Sequence, residues 1–185
     1  SAGLAYLKAL AYANDLELGP EEYVELDRRI ENDYLKLSNG ILDQSSIVYG
    51  KKDSLLYIDT VTGHTAAYPR PKNWEDFKIL IVYSGIPREL TSSGFNTRVE
   101  ECRKAAGLLG IMGGLRSAKT LSYIPETVFR EKSHKLPEDL RRRAEHFFTE
   151  SERVTMGVAA WNRGDMNTFG RLMNDSCESS FVNYE

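Results

Sequence analysis

The sequence predicts an α+β chain in two parts, and three observations carry that reading. Helix-forming, 3.6-periodic segments open the chain and fill its last third. Two short β-prone segments flank a turn at Gly63. A continuous apolar run, Phe77 to Tyr83 (FKILIVY), has the form of a strand covered on both faces.

Leu4 to Asn14 (LAYLKALAYAN) is rich in Ala and Leu and apolar on most faces, which predicts a buried helix. Gly19-Pro20 ends it and opens another, with Pro at an early helical position and Glu21-Glu22 complementing the dipole. Tyr23, Leu26, Ile30, Tyr34 and Leu37 continue at helical spacing, and Ser38-Asn39-Gly40 is the predicted stop. Ser54 to Asp59 and His64 to Tyr68 read as paired strands. Pro69 and Pro71 mark a boundary, which divides the chain into residues 1–70 and 71–185. Thr97 to Leu109 reads as helix, with Gly110, Gly113 and Gly114 breaking the pattern. Pro137 starts a long helix running to Asn162, and a turn at Gly164-Asp165 precedes another from Met166.

At 185 residues, 41% hydrophobic and 28% charged, the chain can bury a core and is not disordered in bulk. The net charge is −3, and the one basic cluster, Arg141-Arg142-Arg143, is interleaved with Glu138, Asp139 and Glu145. That is a solvated helix face rather than a nucleic-acid grip. Cys102 and Cys177 are too few for a disulfide framework and predict free thiols in a reducing cytoplasm. Neither a signal peptide nor a membrane span is expected. The opening Ser1-Ala2-Gly3-Leu4 lacks an initiator Met and reads as the middle of a protein.

His64, His134 and His146 are scattered, without metal-ligand spacing, and there is no GxSxG, HExxH or full Walker loop. The informative stretch is Asn39-Gly40-Ile41-Leu42-Asp43-Gln44-Ser45-Ser46. It can re-enter a helix with Asp43 in the first turn, where the positive end of the dipole favours a carboxylate. A charged, positioned Asp is what a general base for a hydroxyl needs. Local chemistry alone is served as well, and more simply, by an Asp that stabilises a helix start.

Resemblance to a family decides between these. Asn39 to Gln44 resembles the galactokinase segment CGIMDQ, and Ser1-Ala2-Gly3 resembles the end of that family's GLSSSA phosphate loop. Ser84 to Leu90 with Gly94 to Cys102 resembles SNVKRxL…SEYNxRRxxC. His146-Phe147 through Glu150 to Arg153-Val154 resembles HxxxExxRV, and Gly164-Asp165 through Phe169-Gly170-Arg171-Leu172-Met173 to Ser176 resembles GDxxxFGxLMxxS. These matches fall in the family's own order along the chain.

The resemblance implies the GHMP kinase fold: 1–70 would be the remainder of an N-terminal domain and 71–185 a truncated C-terminal domain. It implies a sugar kinase that transfers the γ-phosphate of ATP, with Mg²⁺, to the C1 hydroxyl of galactose or a galactose-like sugar. Asp43 would accept the hydroxyl proton. Ser1 would receive phosphate at a helix N-terminus and, with Glu31, hold Mg²⁺. Glu31 lies nine residues before Gly40; its alternative role is one more charge beside Glu25, Asp27 and Asp33. Asn39, Gly40 and Phe95 would line the sugar, with Phe95 standing where the family carries Tyr.

The wording NGILDQSSI and SSFVNYE is similar to galacturonokinase, whose product would be galacturonate 1-phosphate, and Arg88 and Arg98 are candidate partners for the acid's carboxylate. The family's sugar-binding GEHTDY-type segment and Gly-rich GGGFGG segment do not occur in these residues, so this chain alone is not expected to be a competent kinase. The implied partners are a small sugar and ATP, with neither nucleic acid nor membrane. Two other classes fit the sequence: a non-catalytic sugar sensor on the same fold, and a helical interaction module over residues 137–163, with Phe147, Phe148, Val154, Val158 and Trp161 as its apolar positions.

Overall fold

The computed structural model of the chain describes residues 2–74, 77–86 and 94–184. The chain divides into two compact units: 1–70 with 79–93, and 71–78 with 94–185.

In the first unit, α1 (Ala2–Ala13) packs on α2 (Pro20–Arg29), which packs on α3 (Leu42–Tyr49). Pro20 takes the first helical position of α2, and the Gly19 N–H donates to Glu22 Oε2 at 2.7 Å, so the side chain three residues into the helix caps its start. The α2 pattern does not stop at Arg29. It loosens into one π-helical turn, Ile30–Tyr34, closed by a Leu35 N–H to Ile30 carbonyl bond of 3.1 Å. The left-handed residue ending this segment is Lys36 (φ 59°), not Asn39 or Gly40, so the predicted stop comes earlier than Asn-Gly chemistry suggested. Strands β1 (Ser54–Ile58) and β2 (Thr65–Pro69) form an antiparallel hairpin, Ser54 opposite Pro69 and Ile58 opposite Thr65. Gly63 (φ 76°) and the Asp59 carboxylate, which accepts from Val61 N, Thr62 N and the Thr62 hydroxyl, shape its turn.

Two expectations are corrected in this unit. Helix α1 is not buried: Leu4 and Ala11 are covered, but Tyr6, Leu10 and Tyr12 are exposed, Tyr12 at 87%. Its apolar composition identified a helix that needs cover, whereas α2 covers one face only. The run 77–83 is not a strand; residues 77–86 form no ladder and Ile81 is 89% exposed. A strand requires a hydrogen-bonding neighbour, and among the described residues β1 and β2 use each other.

The second unit is helical. α4 (Phe95–Met112), α5 (Glu126–Lys132), α6 (Glu138–Arg163) and α7 (Met166–Ser179) surround a core that includes Ala105, Ala106, Leu109, Leu121, Leu140 and Ala144. Gly110 does not break α4. It lies buried within the helix, where an added Cβ would stand 2.6 Å from the Leu115 carbonyl oxygen, so it permits a close chain crossing. Gly164 (φ 68°) ends α6 in the left-handed conformation, and Asp165 caps α7 by accepting from Thr168 N at 3.0 Å. Trp74 packs against Trp161 with the rings tilted (centroids 4.2 Å apart) and meets Phe169 edge-on (5.5 Å).

The sequence segments beginning at His146 and Gly164 form the α6–α7 seam. Ser176 Oγ donates to Glu150 Oε2 at 2.7 Å, Arg153 Nε donates to Glu150 Oε1 at 2.5 Å, and the His146 ring meets Ser179 Oγ at 3.0 Å. Burial holds His146 below its ordinary pKa. The π-helical turn Ser180–Tyr184 then folds back on α6, and burial together with the neighbouring Cys102 pushes Tyr184 up to about 12.

Candidate functional site

The residues singled out in the sequence fall in both units. Ser1 lies outside the described residues, so its predicted phosphate and metal roles have no structural description. Phe95 is the first residue of α4 in the second unit and is half-buried.

Glu31, Asn39, Gly40 and Asp43 lie in the first unit, on the π-helical turn, the following loop and the first turn of α3. The structure joins Glu31 to Asn39 directly: Asn39 Nδ2 donates to Glu31 Oε2 at 2.9 Å. Gln44, which the sequence reading passed over, donates from Nε2 to the same oxygen, also at 2.9 Å. The Gln44 side chain is drawn inward, leaving the residue 2% exposed. No described residue bonds Glu31 Oε1. Asn32, also missed, clamps the Asn39 backbone with two bonds: its Oδ1 accepts from Asn39 N at 3.0 Å and its Nδ2 donates to Asn39 O at 3.1 Å. Sequence spacing could not reveal this, because a π-helical turn shifts Glu31 and Asn32 off the 3.6-residue stripe of α2.

Asp43 is exposed in the first turn of α3, and its carboxylate bonds no described residue. The N-cap is Ile41, whose side chain cannot cap the first backbone N–H groups of α3. Gly40 is exposed as well, and a Cβ built on it would meet nothing within 4 Å. One turn along α3 from Asp43, Ile47 borders a cleft of about 430 Å³, whose other walls include Leu4 and Lys8 of α1 and Tyr23 of α2. The arrangement thus places an exposed carboxylate, Asp43, next in sequence to the buried Gln44 that holds the amide-clamped carboxylate of Glu31. Within the described residues no group of three or more His, Cys, Asp or Glu could hold a metal alone. A divalent cation would therefore need oxygens from a ligand besides Glu31.

At the second-unit position preceding Cys102, Glu101 accepts from Arg143 Nε at 2.7 Å and from Arg98 at 3.2 Å. Burial works to raise its pKa, but the two guanidinium groups outweigh it and leave the carboxyl below its ordinary value.

Comparison with known proteins gives a consistent picture. The family described as GHMP kinases N terminal domain matches residues 1–51. Galacturonokinase of Arabidopsis thaliana is 42% identical over 187 residues, covering 100% of this chain and 44% of that protein. Galactokinase of Staphylococcus carnosus is 36% identical, covering 97% of this chain and 44% of that protein. Among solved structures, Lactococcus lactis galactokinase complexed with galactose superimposes with a TM-score of 0.83 at 30% identity, over 96% of this chain and 45% of its own. The chain thus spans less than half the length of these relatives. No helix among the described residues is long and apolar enough to cross a membrane.

Proposed function

We propose that the full-length protein is a cytoplasmic sugar kinase of the GHMP family, transferring the γ-phosphate of ATP to the C1 hydroxyl of a galactose-like sugar. The match of residues 1–51 to the GHMP kinase N-terminal domain and the similarity of the chain to galactokinases and a galacturonokinase support this reading. The observation that carries this reading is the Glu31–Asn39–Gln44 cluster next to the exposed Asp43.

In this mechanism Asp43 takes the proton of the attacking hydroxyl as the oxygen–phosphorus bond forms, and ADP leaves with the β–γ bridging oxygen. The solvent-open carboxylate is suited to that task because a base must reach its substrate. Glu31 would hold Mg²⁺ together with Ser1 and nucleotide oxygens; its half-buried carboxylate with one uncommitted oxygen fits a hard, oxygen-seeking cation. The ion would neutralise phosphate charge during transfer. Asn39, Gly40 and Phe95 would border the sugar.

The acid sugar is the second reading, favoured by the 42% identity to galacturonokinase against 36% to a galactokinase. Phe95 removes a hydroxyl relative to Tyr and Asn39 supplies an amide, both of which bear on how the sugar is bound. Incubating the full-length protein with ATP and either galactose or galacturonate, and following the products by ³¹P NMR, tests both readings. A sugar 1-phosphate from either supports the kinase, and preference for galacturonate selects the acid. Absence of phosphorylation with both sugars rejects the proposal.

A further inference from the structure

Gln44 has no assigned part in the mechanism above, yet its side chain is one of the most deeply placed polar groups in the first unit. A buried carboxamide is costly unless its N–H groups are bonded, and here Nε2 is spent on a single acceptor, Glu31 Oε2. Asn39 Nδ2 converges on the same oxygen, and Asn39 is itself pinned at both backbone polar groups by Asn32. Both donors are neutral. A Lys in either place would cancel the carboxylate's charge and repel a cation, and a Glu would set two like charges 3 Å apart. A carboxamide fixes the carboxylate's orientation and leaves its charge intact.

We infer that Gln44 and Asn39 form a carboxamide clamp that occupies Glu31 Oε2 and presents Oε1 as the ligand for a nucleotide-bound divalent cation. Gln44 is thereby a positioning residue, acting on the metal through Glu31; this rests on the kinase reading. Outer partners of metal-ligating side chains characteristically tune affinity by 10–100-fold. The π-helical turn contributes by bringing Glu31 and Asn32 to bear on the same loop, Asn32 on the Asn39 backbone and Glu31 on its side chain.

The test is Mn²⁺ binding to the full-length protein with saturating ADP, read from the electron paramagnetic resonance of free Mn²⁺, in Gln44→Met, Glu31→Gln and the double variant. The expected result is that Gln44→Met weakens Mn²⁺ binding about tenfold, while metal-free ADP affinity stays unchanged. In the Glu31→Gln background the same substitution should add nothing, because the two act through one oxygen. Wild-type Mn²⁺ affinity in Gln44→Met, or an undiminished tenfold loss on top of Glu31→Gln, overturns the clamp and leaves Gln44 a packing residue. Wild-type Mn²⁺ affinity in Glu31→Gln instead removes the metal role of Glu31, and the clamp's purpose with it. Should Gln44→Met fail to fold, Asn39→Ala removes the other donor from the loop. It is expected to lose several-fold in Mn²⁺ affinity only when Glu31 is present, and a loss independent of Glu31 overturns the inference.

Discussion

The ion pair between Arg143 and Glu101 should be the most consequential polar contact in the second unit. Arg143 is 1% exposed, and its guanidinium donates to Glu101 Oε2 at 2.7 Å and to the Asn183 carbonyl at 2.5 Å. It therefore ties α6 to α4 and to the terminal π-helical turn together. Replacing it by Met keeps most of the volume but removes every donor. Breaking a buried pair by deleting one partner costs about 3–5 kcal/mol. Two features of the structure adjust that figure. Glu101 retains Arg98 at 3.2 Å, which lessens the loss. The Asn183 carbonyl is deprived of this donor, a desolvation penalty of about 1–3 kcal/mol. A net loss of about 3 kcal/mol follows, and for a chain of this size that lowers Tm by about 6–12 °C.

Thermal unfolding followed by circular dichroism, with Arg141→Ala as control, measures it. Arg141 bridges Glu138 and Glu145 at the surface, so its loss should stay within about 0.5 kcal/mol. A Tm for Arg143→Met within about 2 °C of wild type would refute the reasoning, because a buried guanidinium cannot be deleted at surface-pair cost.

Two glycines in helices should respond to alanine with opposite signs. At Gly3 of α1 a Cβ would stand 2.0 Å from Oδ1 of Asp27, itself 2% exposed, so Gly3→Ala should destabilise by about 1–3 kcal/mol despite the better helix propensity. At Gly107 of α4 nothing lies within 4 Å, and Gly107→Ala should stabilise by about 0.5–1 kcal/mol; urea titration reads both. The buried, neutral-favouring His146 gives a pH signature. The unfolded chain takes up a proton near pH 6.5 while the folded chain resists it until lower pH, so this residue's contribution is intact above about pH 6.5 and is lost as pH falls through the window below. His146→Gln should flatten the stability profile in that window, and an unchanged slope between pH 5 and 7 would contradict the assignment.

Elements that complete themselves locally were readable in the sequence. The β1–β2 hairpin needs only its two strands and the Asp59–Gly63 turn, and α6 carries its own start at Pro137 and stop at Gly164. Elements whose form depends on distant cover were not. The run 77–83 has the composition of a strand without a ladder partner among the described residues, and α1 has the composition of a buried helix with one covered face. For the candidate site, the sequence nominated residue types, Asp43 and Glu31 above all. Its wiring was not, because the π-helical turn and the Asn32 clamp depend on backbone geometry that spacing does not encode. Gln44 sat beside the residue of interest in the same recognised segment, and only its hydrogen bond to a carboxylate 13 positions earlier gives it a role.

Replacing one oxygen of the Asp43 carboxylate by an amide in the full-length protein tests the account at its centre. Asp43→Asn keeps size and shape at the start of α3 but cannot accept the hydroxyl proton, so turnover should fall by at least about 10²–10⁴-fold with ATP affinity unchanged. Sugar phosphorylation at the wild-type rate in that variant would contradict the account.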